Sequence, residues 1–263
     1  MTTVISADGT AIAFERTGEG PPVVLVAAAL CDRLATRPLA AELGRHFTVF
    51  GYDRRGRGES GDTAPDTVRQ EIDDLGAIIA EAGGEAAVYG HSSGAVLALH
   101  AAASGLLITA LILHEPPFLL QDDPAERERS QAQLQTIEEL LAQDRPADAI
   151  AAFLTPAGMP QQLIDSMSRD PGTQANARTL PIDPFAMLSE ESRGGRTPIE
   201  QARDVTVPAL VLCGGASHPW MIETGRRIAE AMPNGTHRVL PDQGHIVPAE
   251  VLAPALTDYL STP

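Results

Sequence analysis

Apolar and polar residues alternate along the opening segment, so Thr3 to Ser6 reads as a strand, Asp8-Gly9 as a turn and Ala11 to Glu15 as the returning strand. The pattern then changes. Val23-Val24-Leu25-Val26-Ala27 and Phe47-Thr48-Val49-Phe50 are short apolar runs separated by a helix-compatible stretch, Arg33 to Leu43. Such runs are the mark of parallel strands buried on both faces. Between Asp66 and Ala82, Val68, Ile72, Leu75, Ile78 and Ile79 recur at helical spacing until Gly83-Gly84 stops the helix. Ala86 to Tyr89, Ser93 to Ala103 and Ala110 to Leu113 then repeat the strand, helix, strand rhythm of an open α/β sheet.

After Glu115 the alternation lapses. Leu119 to Val205 holds helices and loops without a convincing strand, including a polar stretch, Pro124 to Gln143, with Leu134, Ile137, Leu140 and Leu141 on one face. Strand character returns at Ala209-Leu210-Val211-Leu212-Cys213, followed by a helix from Met221 to Met232 and a strand at Arg238 to Leu240. A closing helix from Val251 to Leu260 has Pro254 in its interior, which a helix tolerates poorly. The expectation is a single α/β domain over residues 1–263, with an inserted helical subdomain at 119–205.

Composition narrows the chemistry. The net charge of -16 repels phosphate backbones and anionic membrane surfaces, so neither nucleic acid nor a membrane is expected as a partner. All 19 basic residues are arginine. The absence of lysine removes Schiff-base chemistry, a lysine general base and a Walker A loop. Cys31 and Cys213 are too few for a disulfide scaffold or a four-thiolate metal site. The N-terminal segment lacks the basic-then-apolar pattern of a signal peptide, and no apolar run approaches the length of about 18 residues that a membrane span needs. A soluble cytoplasmic protein is expected.

The sharpest motif is Val88-Tyr89-Gly90-His91-Ser92-Ser93-Gly94-Ala95, a G-x-S-x-G pentapeptide between a strand and an alanine-rich helix. Glycines at both ends relieve crowding around a strained turn that thrusts Ser92 above the sheet at a helix N-terminus. Ser92 is the candidate nucleophile. The main-chain N–H of Ser93 follows it and is placed to face a developing oxyanion.

With this motif the chain resembles the α/β-hydrolase superfamily, in its group of small esterases, lactonases and cofactor-free haloperoxidase-like proteins. Further support comes from Asp53-Arg54-Arg55-Gly56-Arg57-Gly58-Glu59-Ser60, Pro208 to Gly215 and Gln243-Gly244-His245. The resemblance implies a three-layer α/β/α fold with an eight-stranded, mostly parallel sheet, its second strand antiparallel, and a helical cap after strand six. It also implies no cofactor or metal, and acyl transfer to water through a serine ester. By family order His245 is the general base. His91, beside the nucleophile, points to the opposite side and takes a packing or pocket role.

Two departures from the family pattern stand out. Relatives carry the triad acid after strand seven, where this chain has Ser217, a hydroxyl that cannot stabilise an imidazolium with full charge. Some members place the acid at the end of strand six, where Glu115 stands; Asp242 competes through its nearness to His245, and Asp53 more often braces the active-site face. The oxyanion loop is Ala27-Ala28-Ala29-Leu30 in place of a familiar His-Gly pair. Ala29 N–H is the expected second donor, with Leu30 as the fallback. Leu30, Cys31, His91, Phe118, Trp220 and Met221 are candidate pocket residues, and Leu119, Leu120, Phe153 and Met159 are plausible cap contacts.

The sequence thus points to a serine hydrolase of a small carboxylic ester or lactone, with Ser92, His245 and Glu115 as its triad. A nonhydrolytic lyase or cyclase, or a noncatalytic small-molecule-binding protein on the same fold, are the alternatives.

Overall fold

A computed structural model describes residues 2–63, 67–120 and 124–261. β1 (Thr2–Ile5) and β2 (Ala11–Thr17) form the antiparallel hairpin, and β2 then pairs antiparallel with β4 (Thr48–Tyr52). β3 (Pro22–Val26), β5 (Ala86–His91), β6 (Ile108–His114), β7 (Ala209–Gly214) and β8 (Gly235–Leu240) complete one eight-stranded sheet in the order β1-β2-β4-β3-β5-β6-β7-β8. All pairings from β4 to β8 are parallel.

The central strands read as unbroken apolar runs because both their faces are covered. Val24, Val26, Val88, Leu111, Leu113, Ala209 and Val211 pack into one core, with α2 (Val68–Glu81), α3 (Ser93–Ala103) and α9 (Pro219–Ala231). The intervening Val23, Leu25, Ala87, Tyr89, Ile112, Leu210 and Leu212 pack into a second core, with α1 (Arg33–Leu43) and α10 (Ala249–Leu260). Period-two alternation assigns each strand residue to one layer.

Helix ends follow local chemistry. Asp32 caps α1 and Thr67 caps α2, each side chain accepting a backbone N–H of its first turn. The expected helix start at Asp66 lies outside the described residues. α9 begins at Pro219, earlier than the apolar pattern indicates, because proline suits the first helical turn and His218 caps it. α10 runs through Pro254, as expected; that proline lies on the exposed face, so the carbonyl left without a partner is not trapped in the core.

Between β6 and β7 the described residues are helical. They form α4 (Pro124–Ala142), α5 (Pro146–Leu154), α6 (Gln161–Arg169), α7 (Pro171–Asn176) and α8 (Pro198–Ala202), with residues 177–197 between the last two making short 3-10 and π-helical turns. Ile137, Ala149, Ile150, Leu154, Ile164, Ala177 and Leu180 make a core of their own. One residue from the sheet's loops enters it: Leu30, which follows β3. Among the described residues no helix is long and apolar enough to cross a membrane.

Candidate active site

Ser92 joins β5 to α3 with φ 54° and ψ -120°, a conformation costing about 1–3 kcal/mol that persists only where its surroundings impose it. The flanking glycines are obligatory. A Cβ on Gly90 would lie 2.3 Å from the Gly94 carbonyl oxygen, and one on Gly94 would lie 2.4 Å from that of Val26. Helix α3 is thereby pressed against the end of β3. Among the described residues, five non-glycine residues have positive φ, and Leu30, Ser92, Glu115 and Asp242 all lie in loops leaving the carboxyl edge of the sheet.

Glu115 follows β6. Its backbone N–H donates to Leu212 O at 2.9 Å, continuing the pairing with β7, and its wholly buried carboxylate turns across the end of that strand. Oε1 accepts the Gly214 N–H at 2.7 Å and Oε2 meets His245 Nδ1 at 2.5 Å. The buried Ser217 hydroxyl stands beside the same carboxylate without a well-aligned hydrogen bond. Burial opposes charge on Glu115, but His245, Ser217 and Gly214 outweigh it and hold the carboxyl below its ordinary range. Asp242 is exposed. The acid facing His245 is therefore carried by β6, against the end of β7.

His245 is fixed from behind by His91. His91 Nε2–H donates to the His245 carbonyl at 2.9 Å, and the two rings lie 4.8 Å apart. On its other side His91 stacks on His114 at 4.7 Å, whose Nδ1 shares a 2.8 Å hydrogen bond with the Tyr89 hydroxyl. Burial, and then the neighbouring His245, push the His91 pKa down to about 3; burial also holds His114 well below its ordinary value. Both rings are neutral at pH 7. Because Ser92 follows His91 and donates its N–H to His114 O at 2.8 Å, backbone connections gather Ser92, Glu115 and His245 at one edge.

The loop after β3 is anchored through its carbonyls. Arg54 Nη1 donates to Ala27 O at 3.3 Å, Arg57 Nη1 to Ala28 O at 2.9 Å and Cys31 O at 3.2 Å, and Asn176 Nδ2 to Leu30 O at 3.1 Å. In a trans peptide the N–H points opposite the C=O, so the Ala28 and Ala29 N–H groups face away from the arginines. The left-handed residue of this loop is Leu30, with φ 65°; Ala28 does not need glycine's freedom. Asp53 braces the adjoining turn, accepting the backbone N–H of Arg33 and of Glu59 at 2.8 Å each. A Cβ on Gly58 would lie 2.2 Å from its carboxylate.

The candidate pocket residues are dispersed. Cys31 and His91 line a cavity of about 380 Å³ between α1 and α10, together with His114 and Val247. Burial pushes the Cys31 thiol up to about 11, leaving it protonated. Leu30 is buried in the core of the insert, and Phe118 in the main core, where Thr224 donates to its carbonyl at 3.1 Å. Met221 is buried in α9, while Trp220 at the start of that helix is exposed and lies near His218. Leu119 is exposed, Leu120 packs on the main core, and Phe153 and Met159 pack in the insert.

Sequence reasoning passed over His114, Asn176 and Asp183. Strand alternation puts Tyr89, His91, Ile112 and His114 on one face of the sheet, a signal present in the sequence and sufficient to pair the two histidines. Asp183 carries no such signal. It is wholly buried in the insert, with Oδ2 accepting from Arg54 Nη1 at 2.7 Å, from Ser93 Oγ at 3.0 Å and from Arg57 Nη2.

Comparison with known proteins agrees with this architecture. A model of the alpha/beta hydrolase family matches residues 18–255. An alpha/beta hydrolase from Sphaerobacter thermophilus is 44% identical, with a TM-score of 0.86 over 99% of this chain and 100% of that one. A thermophilic esterase from Thermogutta terrifontis is 22% identical (TM-score 0.78; 98% and 97% of the two chains). The enol-lactonase from Burkholderia xenovorans is 23% identical (TM-score 0.71; 99% and 100%). A family match over most of the chain and a close full-length relative, joined to the sheet order and the elbow at Ser92, place the chain in the alpha/beta hydrolase family.

Proposed function

We propose that the protein is a serine hydrolase acting on a small carboxylic ester or lactone through an acyl-enzyme. The observation that carries this reading is the 2.5 Å contact between His245 Nδ1 and a buried, ionised Glu115, beside a strained Ser92 elbow. With Nδ1–H engaged by the carboxylate, Nε2 is left as the basic nitrogen. Ser92 Oγ attacks the carbonyl carbon while His245 Nε2 takes its proton. The imidazolium so formed is stabilised by Glu115, and it returns the proton to the departing alkoxide. Water then repeats the sequence on the acyl-enzyme, with the acid as product and Ser92 restored.

The carbonyl oxygen gains negative charge at each addition. Ser93 N–H, at the start of α3, and Ala29 N–H, turned away from the Arg57 guanidinium, are the donors assigned to it. Nothing in this scheme needs a His-Gly pair after β3 or an acid after β7, since the donors are main-chain groups and the acid enters from the end of β6. An esterase and an enol-lactonase with the same fold support the choice of substrate class. The test is turnover of a panel of activated and natural esters and lactones by the purified protein and by Ser92→Ala. At least about 10³-fold loss in the variant is expected. Equal hydrolysis by both rejects Ser92 as the nucleophile.

A further inference from the structure

The buried arginines at the end of β4 form a network with little to do with ordinary surface pairing. Arg54 and Arg57 are each about 1% exposed or less, and Arg54 makes two 2.8 Å contacts with Glu71 besides its contact with Asp183. Glu71 and Asp183 balance the two guanidinium charges. Arg54 Nη1 and Arg57 Nη1 also donate to the carbonyls of Ala27, Ala28 and Cys31, the loop bearing one proposed oxyanion donor. Asp183 Oδ2 also accepts the hydroxyl of Ser93, whose N–H is the other. Its second oxygen, Oδ1, is buried and has no hydrogen-bond partner among the described residues, so every hydrogen bond given for this carboxylate runs through Oδ2.

We propose that Asp183 is a positioning residue that sets the two halves of the oxyanion hole relative to each other. One carboxylate oxygen grips the arginines that orient the Ala27-to-Cys31 loop, and it grips the side chain of Ser93. Asp183 touches no reacting atom; it acts through Arg54, Arg57 and Ser93. The insert adds to the hold on the same loop, through the hydrogen bond from Asn176 to the Leu30 carbonyl and through the packing of the Leu30 side chain in its core. The inserted helices are thus fastened to the main-chain donors themselves. Burial disfavours charge on Asp183, but the adjacent Arg54 and Arg57 outweigh it and hold the carboxyl below its ordinary range.

This inference rests on the serine-hydrolase reading, and its test separates the two. Asp183→Asn keeps the shape and removes the charge, Ser93→Ala removes only the hydroxyl link, and Asp74→Asn removes the carboxylate of a different buried pair, that with Arg55. For each, the measurements are kcat and KM on an ester turned over by the wild type, inhibition by phenylboronic acid, melting temperature, and amide hydrogen exchange in residues 27–31. Asp183→Asn is expected to lower kcat about 10- to 100-fold with KM nearly unchanged, because donors moved out of line weaken transition-state binding selectively. Boronate affinity should fall by the same factor and exchange in 27–31 should accelerate. Asp74→Asn should lower the melting temperature alone.

A folded Asp183→Asn protein with kcat and boronate affinity within twofold of wild type overturns the proposal, as does an equal loss of kcat in Asp74→Asn. If Asp183→Asn does not fold, Ser93→Ala decides: parallel losses in kcat and boronate affinity support the link, and unchanged values refute it. If the wild type neither hydrolyses an ester nor reacts at Ser92, the hydrolase reading has failed. Exchange in 27–31 then decides the positioning role on its own, faster exchange supporting it and unaltered exchange overturning it.

Discussion

His245 Nδ1 lies 2.5 Å from Glu115 Oε2, and the same carboxylate receives the Gly214 N–H at 2.7 Å through its other oxygen. Two neighbouring strands therefore meet at this carboxylate. β6 supplies the acid, and the end of β7 supplies the donors that keep it ionised. Buried carboxylates are costly unless fully hydrogen-bonded, and this one is satisfied on both oxygens.

Glu115→Gln retains the shape of the pair and removes its charge. The account expects kcat to fall about 10²- to 10⁴-fold, with KM changed little, because the loss falls on the imidazolium formed in the transition state. Asp242→Asn should leave turnover within about twofold, since Asp242 is an exposed loop residue. Steady-state kinetics on both variants, with circular dichroism to confirm folding, check the contrast. Undiminished turnover in Glu115→Gln would count against the assignment.

His91 holds the His245 main chain through its Nε2–H. His91→Phe keeps a ring in the stack and deletes the donor, at a cost of about 1–3 kcal/mol if the carbonyl is left unpaired. The expected outcome is a lower melting temperature, with kcat reduced about tenfold and KM changed little, a loss of that size being ordinary for a displaced catalytic group. Thermal melts and initial rates test it together. A variant as stable and active as wild type removes His91 from the account.

Stability should fall on acidification well before the carboxylates titrate. His91 is held at about 3, His100 at about 4 and His114 well below its ordinary value, in each case chiefly by burial. His100 is further fixed as the neutral ring, donating Nε2–H to Met187 O at 2.8 Å and accepting from Gln201 at 2.7 Å. Below pH about 6.5 the unfolded chain takes protons at these rings that the folded chain refuses. Their contribution is complete above that pH and declines as pH drops toward the folded values, by about 1.4 kcal/mol per pH unit for each ring. Urea unfolding between pH 7.5 and 4.5 should show this loss, and His100→Gln should make the dependence shallower. A flat profile contradicts it.

Much of this site was legible in the sequence for reasons that can be named. The elbow is local: a strand, two crowded glycines and a helix lie within a few residues of Ser92, so pattern suffices. Glu115 was reached by the order of elements in the family, and its place at the end of β6 follows once the strand at Ile108–His114 is recognised. The pairing of His91 with His114 was equally available from strand alternation. Asp183 was not. It is 129 residues from Arg54 and 126 from Arg57, in an irregular turn without a repeating pattern. A run such as Arg54-Arg55-Gly56-Arg57 in an apolar setting demands acidic partners, yet it does not say which acids the fold delivers. The helix expected from Met221 starts earlier, at Pro219, because the apolar pattern carries no mark of the first turn, where proline is accepted; the closing helix runs through Pro254 as expected, with that residue on its exposed face.

Reactivity at one serine tests the central claim most directly. Purified protein treated with a fluorophosphonate should gain one phosphonyl group, located on Ser92 by peptide mass mapping, because attack needs the nucleophile and its base in register. The account predicts stoichiometric labelling of the native protein, loss of all labelling in Ser92→Ala, and labelling slowed at least about 100-fold in His245→Ala. Labelling of Ser92 no faster than in the denatured chain, or at an unchanged rate in His245→Ala, would contradict it.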